Sequence, residues 1–405
     1  MKKLFQILTI VLLISFLVAC AQSPEAPAVS TDAPVTSTDV PTLSANAQWA
    51  KDNGVGPYTP AEEDWAAIEE AAKKEGKVVV YSNSSRIANI VDAWKAQYPD
   101  IEIEANDLGS DALVTKVREE QEAKAYTGDV GMASGSYFAV EFVPLEYLWK
   151  YIPPELLSVL PEANQNPLVT HTLETYGWVY NSKLNESCPI SNWWEPTNPE
   201  WKGKIAINKD PVTSGSDMGM LTSAAHHSDE LAAAYQALYG KEWTTDEQYG
   251  DDTPDAGWLW LKKLAQNQMI AGGDEAWEVM GSPDMTDNML GLFWYSKYRK
   301  VIDGEANFEP CVGMDPVGLQ KHNYLAILNQ APHPNAAKLY MRFALTAEGL
   351  DPWNQVGQVP GRTDVAPAEE AVPFLDLPVW QLDEQFTYEN VSLFHDFFSI
   401  SLLSK

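Results

Sequence analysis

Three short stretches of this chain combine hydroxyl, amide and glycine residues directly after apolar runs. They are Ser82-Asn83-Ser84-Ser85-Arg86, Ser134-Gly135-Ser136-Tyr137 and Thr213-Ser214-Gly215-Ser216. Where such a loop opens a helix, its free backbone N–H groups, hydroxyls and the positive end of the helix dipole suit an anion. Arg86 adds a planar charged fork. Gly135 lets backbone approach a ligand closely, and Tyr137 offers a ring and a hydroxyl. Each stretch would serve equally as an ordinary helix cap or turn, and Asp217 would compete for the donors of the third. A second group is aromatic. Trp294, Tyr295 and Tyr298 follow one apolar run, and Tyr176 and Trp178 lie in another. They would either wall an organic ligand or pack in a core. Neither G-x-S-x-G nor H-E-x-x-H occurs, so an enzyme is not expected. The six histidines, including His226-His227, show no metal spacing. Neither a cofactor nor a resident metal is expected.

The elements around these loops alternate strand and helix. A helix begins near Thr59-Pro60, with Glu62, Glu63 and Asp64 favouring its dipole, and ends at Gly76. Lys77 to Tyr81 reads as a buried parallel strand. Ile87, Ile90, Val91 and Trp94 then give one helical face, and Pro99 stops it. Residues 101–104 alternate as a strand, Gly109-Ser110-Asp111 opens a helix, and residues 128–132 form a third strand. Strands are also expected at 176–180 and 290–295, a turn feeding a strand at 201–207, and helices at 258–268 and 336–343. An acidic, turn-rich insertion covers 241–256. This order predicts an α/β fold with parallel sheet and right-handed crossovers. No internal repeat is apparent.

The N-terminus reads as an export signal. Lys2 and Lys3 precede an apolar stretch, Leu4 to Val18, which should be cleaved rather than counted as a spanning helix. Leu17-Val18-Ala19-Cys20 resembles the bacterial lipobox, which implies a signal peptide over 1–19 and a lipid on Cys20. From Ala21 to about Ala47 the chain is Pro, Ala, Ser, Thr and Val with a few acids. Residues 20–47 are therefore expected to form a lipid-anchored flexible linker. The remaining ~350 residues exceed one core, so two lobes are expected. A net charge of −30 argues against nucleic acid as a partner. Setting Cys20 aside, Cys188 and Cys311 remain, either bridged in an oxidising compartment or as two buried thiols.

Several blocks together resemble the iron-type, type 2 periplasmic solute-binding proteins of ABC importers. They are E-G-K-V-V-V-Y-S (75–82), G-W-V-Y-N-S-K-L (177–184), W-W-E-P-T-N-P-E-W-K-G-K-I-A-I (193–207), A-P-H-P-N-A-A-K-L-Y-M-R-F-A-L-T-A-E-G (331–349) and G-R-T-D-V (361–365). The resemblance implies a two-lobed Venus-flytrap fold with ligand in the cleft and crossing strands between the lobes. Lobe 1 would hold 60–175, lobe 2 would hold 176–312, and 313–405 would return to lobe 1. Ligands in such sheets sit beyond the carboxyl ends of strands, which selects the loops above. Iron-binding relatives use adjacent tyrosines in the late aromatic group. Trp294 stands in the first of those places and cannot ligate a metal, and the first-strand loop carries no His or Glu. A small organic anion (phosphorylated, phosphonate or carboxylate) is the favoured ligand. Ferric iron as cargo and a polyamine held by cation–π contact are the alternatives. The expected partners are an ABC permease and the membrane through the lipid, with a monomeric body. A ligand sensor would share the same fold and cleft.

Overall fold

The computed structural model describes residues 43–404 except 245–252, 369–373 and 375. The signal segment, Cys20, most of the linker and the centre of the acidic insertion lie outside the described residues. The linker's expected end at residue 47 is corrected. Ser44 accepts a hydrogen bond from the Ala47 N–H and caps a helix over Ala45–Asp52, whose Ala47 and Ala50 are buried.

The chain enters its sheet through β1 (Lys77–Ser82), β2 (Glu102–Asp107) and β3 (Val130–Ser134). The helix before β1, Trp65–Glu75, is capped by Asp64 and stopped by Gly76 at φ 82°, a left-handed position that glycine adopts without strain. The expected single helix after β1 starts instead as a 3-10 segment, Ser85–Ile90, and becomes α-helical at Val91–Gln97. Its Ile87, Ile90 and Trp94 are buried as the periodicity requires. A long helix, Ser110–Ala123, connects β2 to β3.

Next come β4 (Leu148–Trp149), β5 (Val169–Tyr180), β6 (Ile205–Ile207), β7 (Ile270–Ala271), β8 (Leu290–Trp294) and β9 (Glu309–Pro310). The last strands are β10 (Gly318–Leu328), β11 (Gln358–Pro360) and β12 (Val379–Gln381). The main order is β2-β1-β3-β10-β5-β8-β6-β7. β1 runs parallel to β2 and β3, and β6 parallel to β7 and β8. Between these two parallel groups lie β5 and β10, the two longest strands, antiparallel to each other and to their outer neighbours. They are the crossing strands of a type 2 periplasmic-binding-protein fold.

Two large sets of buried side chains flank the crossing strands. One is built around Val78, Val80, Trp94, Tyr151, Tyr340 and Phe343. The other is built around Trp178, Trp194, Trp260, Leu290, Phe293 and Tyr295. The segment after β10 divides between them. The helix Pro334–Ala344 joins the first set, whereas Trp380, and Phe394 and Phe398 of the C-terminal helix Glu384–Leu403, join the second. The expected return of all of 313–405 to lobe 1 is corrected accordingly. Phe394 and Phe398, four residues apart, face the same side of that helix and bury against Trp258 and its neighbours. The structure joins Cys188 to Cys311 by a disulfide.

Candidate ligand-binding cleft

A cavity of about 690 Å³ opens between the carboxyl ends of β1, β2 and β3 on one side and those of β6 and β8 on the other. That size suits a small molecule. Asn83, Ser84, Ser85 and Arg86 line it from the loop after β1. Residues 107–111 line it from the loop after β2, and Ser214, Ser216 and Trp294 from the opposite side. Ser84 accepts from the Arg86 N–H at 3.4 Å, so capping and cavity lining coexist in this loop. Arg86 donates to Gln358, which in turn donates to Thr172 at 2.9 Å. Burial lowers the Arg86 pKa, opposed by the nearby Glu174 charge.

Lys321, in the middle of β10, sits at the floor. Its ammonium donates to Ser134 at 3.1 Å, lies 3.7 Å from Glu174 and rests 3.5 Å above the Trp294 ring. Burial pulls its pKa down, and Glu174 is the largest opposing influence. Glu174, from the other crossing strand, also accepts from Ser296. Asp217 is buried at the start of the helix Gly215–His226. It accepts from Ser214 at 2.9 Å, from Tyr176 at 3.2 Å and from the Lys209 N–H at 3.4 Å. Burial raises its pKa, opposed first by the Ser214 hydrogen bond. This acid already occupies the Ser214 hydroxyl, one of the donors that the third loop was expected to offer an anion.

The charges are sorted by depth. Four of the five lining lysines and arginines, Arg86, Lys297, Arg299 and Lys321, are at least partly buried, whereas Lys209 and the acids Asp107, Asp111 and Glu275 are exposed. The inner acids are Glu174 and Asp217, both hydrogen-bonded to neighbours. The interior therefore holds an excess of positive charge inside a chain of net charge −30.

Several expected site residues lie elsewhere. Ser82 is buried and braces its loop, accepting from the Ser84 N–H at 3.0 Å. Thr213 closes a turn onto the Asp210 carbonyl. Tyr176 lies beneath Trp294, with ring centroids 4.9 Å apart, and only supports the wall. Trp178 is wholly buried against Trp193. Tyr295 is also wholly buried, its hydroxyl donating toward the Trp178 and Val317 carbonyls at 3.3 and 3.2 Å. Tyr298 is buried and donates to Glu309 at 2.9 Å. Trp178, Tyr295 and Tyr298 thus belong to the core; Tyr295 packs against Gly177 on the face of β5 opposite Tyr176, whereas Trp178 shares the Tyr176 face and is covered there by Trp193. Ser134, Gly135, Ser136, Tyr137, Gly215 and Ser216 line a smaller second cavity, which Ser216 shares with the first.

Sequence reasoning missed Lys321, Glu174, Gln358, Lys297, Arg299 and the loop after β2. Lys297 and Arg299 carried a signal, since they directly follow the late strand. Lys321 and Glu174 lie inside long strands, where polar residues read as a solvent-facing alternation.

Beside the floor, Ser136 donates to Glu384 at 2.7 Å. Burial pushes the Glu384 pKa from 4.5 up to about 7, against that hydrogen bond and the Lys321 charge. The folded protein holds this proton more tightly than the unfolded chain does. The resulting stability is complete below about pH 4.5 and is lost as pH rises through about 7, on the order of 3 kcal/mol. In urea unfolding, Glu384→Gln should therefore gain on the wild type by about that much between pH 4.5 and pH 8. A difference between the two proteins that does not change with pH would refute the assignment.

Among solved structures, iron-bound HitA from Pseudomonas aeruginosa superposes with a TM-score of 0.60 at 20% identity, covering 79% of this chain and 99% of its own. The apo ferric ion-binding protein A of Pasteurella haemolytica gives 0.59 at 15% identity, with 82% and 99% covered. AfuA from Actinobacillus pleuropneumoniae, with exogenous fructose-6-phosphate bound, gives 0.61 at 18% identity, with 82% and 99% covered. At these identities the likeness establishes the fold. No curated protein matches in sequence. The family described as bacterial extracellular solute-binding protein matches residues 81–350, which run from the end of β1 past the helix after β10 and so take in both sides of the cleft. With a binding fold, a polar cleft at the strand ends and that match over most of its length, the chain belongs to the bacterial extracellular solute-binding protein family.

Proposed function

We propose that this protein captures a small organic anion, carrying a phosphate, phosphonate or carboxylate group, and delivers it to an ABC-importer permease. The observation that carries the reading is the depth-sorted charge. Four of the five lining lysines and arginines (Arg86, Lys297, Arg299 and Lys321) lie inward, while three of the five lining acids are exposed. Charge-assisted hydrogen bonds from buried cations are the strongest polar contacts available to an anion. A polyamine fits less well, because the face of Trp294 is already covered by the Lys321 ammonium. Ferric iron held by adjacent phenolates also fits less well, because the Tyr295 and Tyr298 hydroxyls bond within the core. AfuA, similar in fold, has a structure with exogenous fructose-6-phosphate bound, which supports the anion reading.

The experiment is a thermal-shift panel on the processed protein, with phosphates, phosphonates, carboxylates, spermidine and ferric citrate. Ligand binding raises apparent stability by mass action, about 2.7 kcal/mol at one hundred times Kd. A shift with an anion supports the reading, and a shift with spermidine or iron alone would overturn it. Export as a lipid-anchored monomer through Cys20 is part of the same proposal, and rests on L-V-A-C and the segment after it. Cys20→Ser should appear in the soluble fraction; retention on membranes after a high-salt wash would contradict the anchor.

A further inference from the structure

The second cavity, about 130 Å³, adjoins the first and shares Ser110, Asp111, Ser216 and Lys321 with it. Its character is different. The walls are Val114, Met220, Leu382 and Val391 with the rings of Tyr137 and Tyr388. Tyr137 and Tyr388 meet edge to face at 5.5 Å, and the Tyr388 hydroxyl donates to Glu141 at 3.1 Å, which holds that ring in place. Gly219 faces Thr387 from the helix opposite, and a Cβ there would sit 3.4 Å from the Thr387 methyl. Gly219 and Thr387 thus both border the recess where the second-lobe helix meets the C-terminal helix. It has room for several heavy atoms, since one water needs only about 10–15 Å³ of such volume.

An apolar recess that opens beside a buried lysine, within a cleft whose interior carries excess positive charge, selects for a molecule with two unlike ends. We infer that the solute is an amphiphilic anion, with its charged group among Arg86, Lys321 and Arg299 and a short aliphatic or aromatic substituent in the recess between Val114, Met220, Leu382 and Val391. This rests on the anion reading above and adds the substrate class. Lys321 marks the junction of the two parts. Its ammonium, which rests over the Trp294 ring, meets the anionic end, and the recess opens on its other side from the first cavity's lining. Burying each methylene of the substituent in the recess should tighten binding about fourfold, until the recess is filled.

The test is calorimetric titration with two homologous series, n-alkylphosphonates from methyl to butyl and the matching n-alkyl carboxylates, with inorganic phosphate as the zero-length probe. In the wild type, at least one series should tighten about fourfold per carbon over the first two or three carbons and then level off. Val114→Phe fills the recess from the half-buried face of its helix, and should flatten that series while leaving the shortest member within about twofold of wild type. Leu382→Ala enlarges the recess and should move the plateau to a longer chain, which keeps the test decisive if Val114→Phe folds poorly. A wild-type series that binds with no dependence on chain length overturns this inference and leaves the anion reading standing. Failure of every phosphonate, every carboxylate and phosphate to bind overturns this inference, and the anion reading falls with it if fructose 6-phosphate and succinate are silent as well.

Discussion

Replacing Tyr295 by alanine should destabilise the unliganded protein by about 3–5 kcal/mol, the cost of deleting a wholly buried aromatic side chain. The local structure gives the reason. Tyr295 lies with its hydroxyl between the Trp178 and Val317 carbonyls and its ring 5.3 Å from that of Phe374. Gly177 on β5 makes room for it, because a Cβ at that position would meet the hydroxyl at 2.5 Å. Gly177→Ala should therefore be destabilising in the same region, and Tyr295→Phe should cost only the hydrogen bonds, about 1–2 kcal/mol. Equilibrium unfolding in urea, read as ΔG from the midpoint and slope, is the measurement. A Tyr295→Ala protein as stable as wild type, with lost solute affinity, would put the ring back in the cleft.

Removing the Cys188–Cys311 bond by changing both residues to alanine should lower stability by about 4–5 kcal/mol in the chain-entropy account, since it releases a loop with a separation of 123 residues. Cys311 is wholly buried in the core that also holds Trp178 and Phe293, and Cys188 packs against it, so small apolar replacements limit the additional packing loss. The double variant should unfold at a clearly lower urea concentration under non-reducing conditions. Equal midpoints for the two proteins, with and without reductant, would mean that the bond constrains nothing. The sequence left a bridge and two separate thiols as alternatives, because spacing along a chain says nothing of distance in space.

Much of the frame was legible because it depends on local rules. Lys77 to Tyr81 is strand because a β-branched run follows a Gly76 stop, and Trp94 is buried because it completes an i, i+3, i+4, i+7 face. Loops after β1, β6 and β8 were legible as cleft for the same reason that ligands sit at strand ends in open α/β sheets. What the sequence did not determine was side-chain parity. Successive residues of a strand face opposite sides, so Trp294 lines the cavity while Tyr295 enters the core, and a reading one residue out exchanges them. Gly177 was the available clue, a glycine inside an apolar strand that marks a close approach. The floor was illegible for a different reason. Lys321 and Glu174 are far apart in the sequence and become neighbours only through the pairing of β5 with β10, where they stand directly across from one another. The C-terminal helix was similarly non-local, since its phenylalanines chose the second core over the first by contacts that no periodicity encodes.

The central claim is that buried cations of the cleft hold an anionic solute, and calorimetric titration of the wild type beside Arg86→Met tests it most directly. Fructose 6-phosphate, n-propylphosphonate, succinate, spermidine and ferric citrate serve as the panel, each against the processed protein. The account predicts one-to-one binding of at least one of the three organic anions, with affinity reduced at least tenfold in Arg86→Met, because losing one charge-assisted contact costs about 1.5–3 kcal/mol. Binding of spermidine or iron with all three organic anions silent, or an anion bound equally well by both proteins, would contradict it.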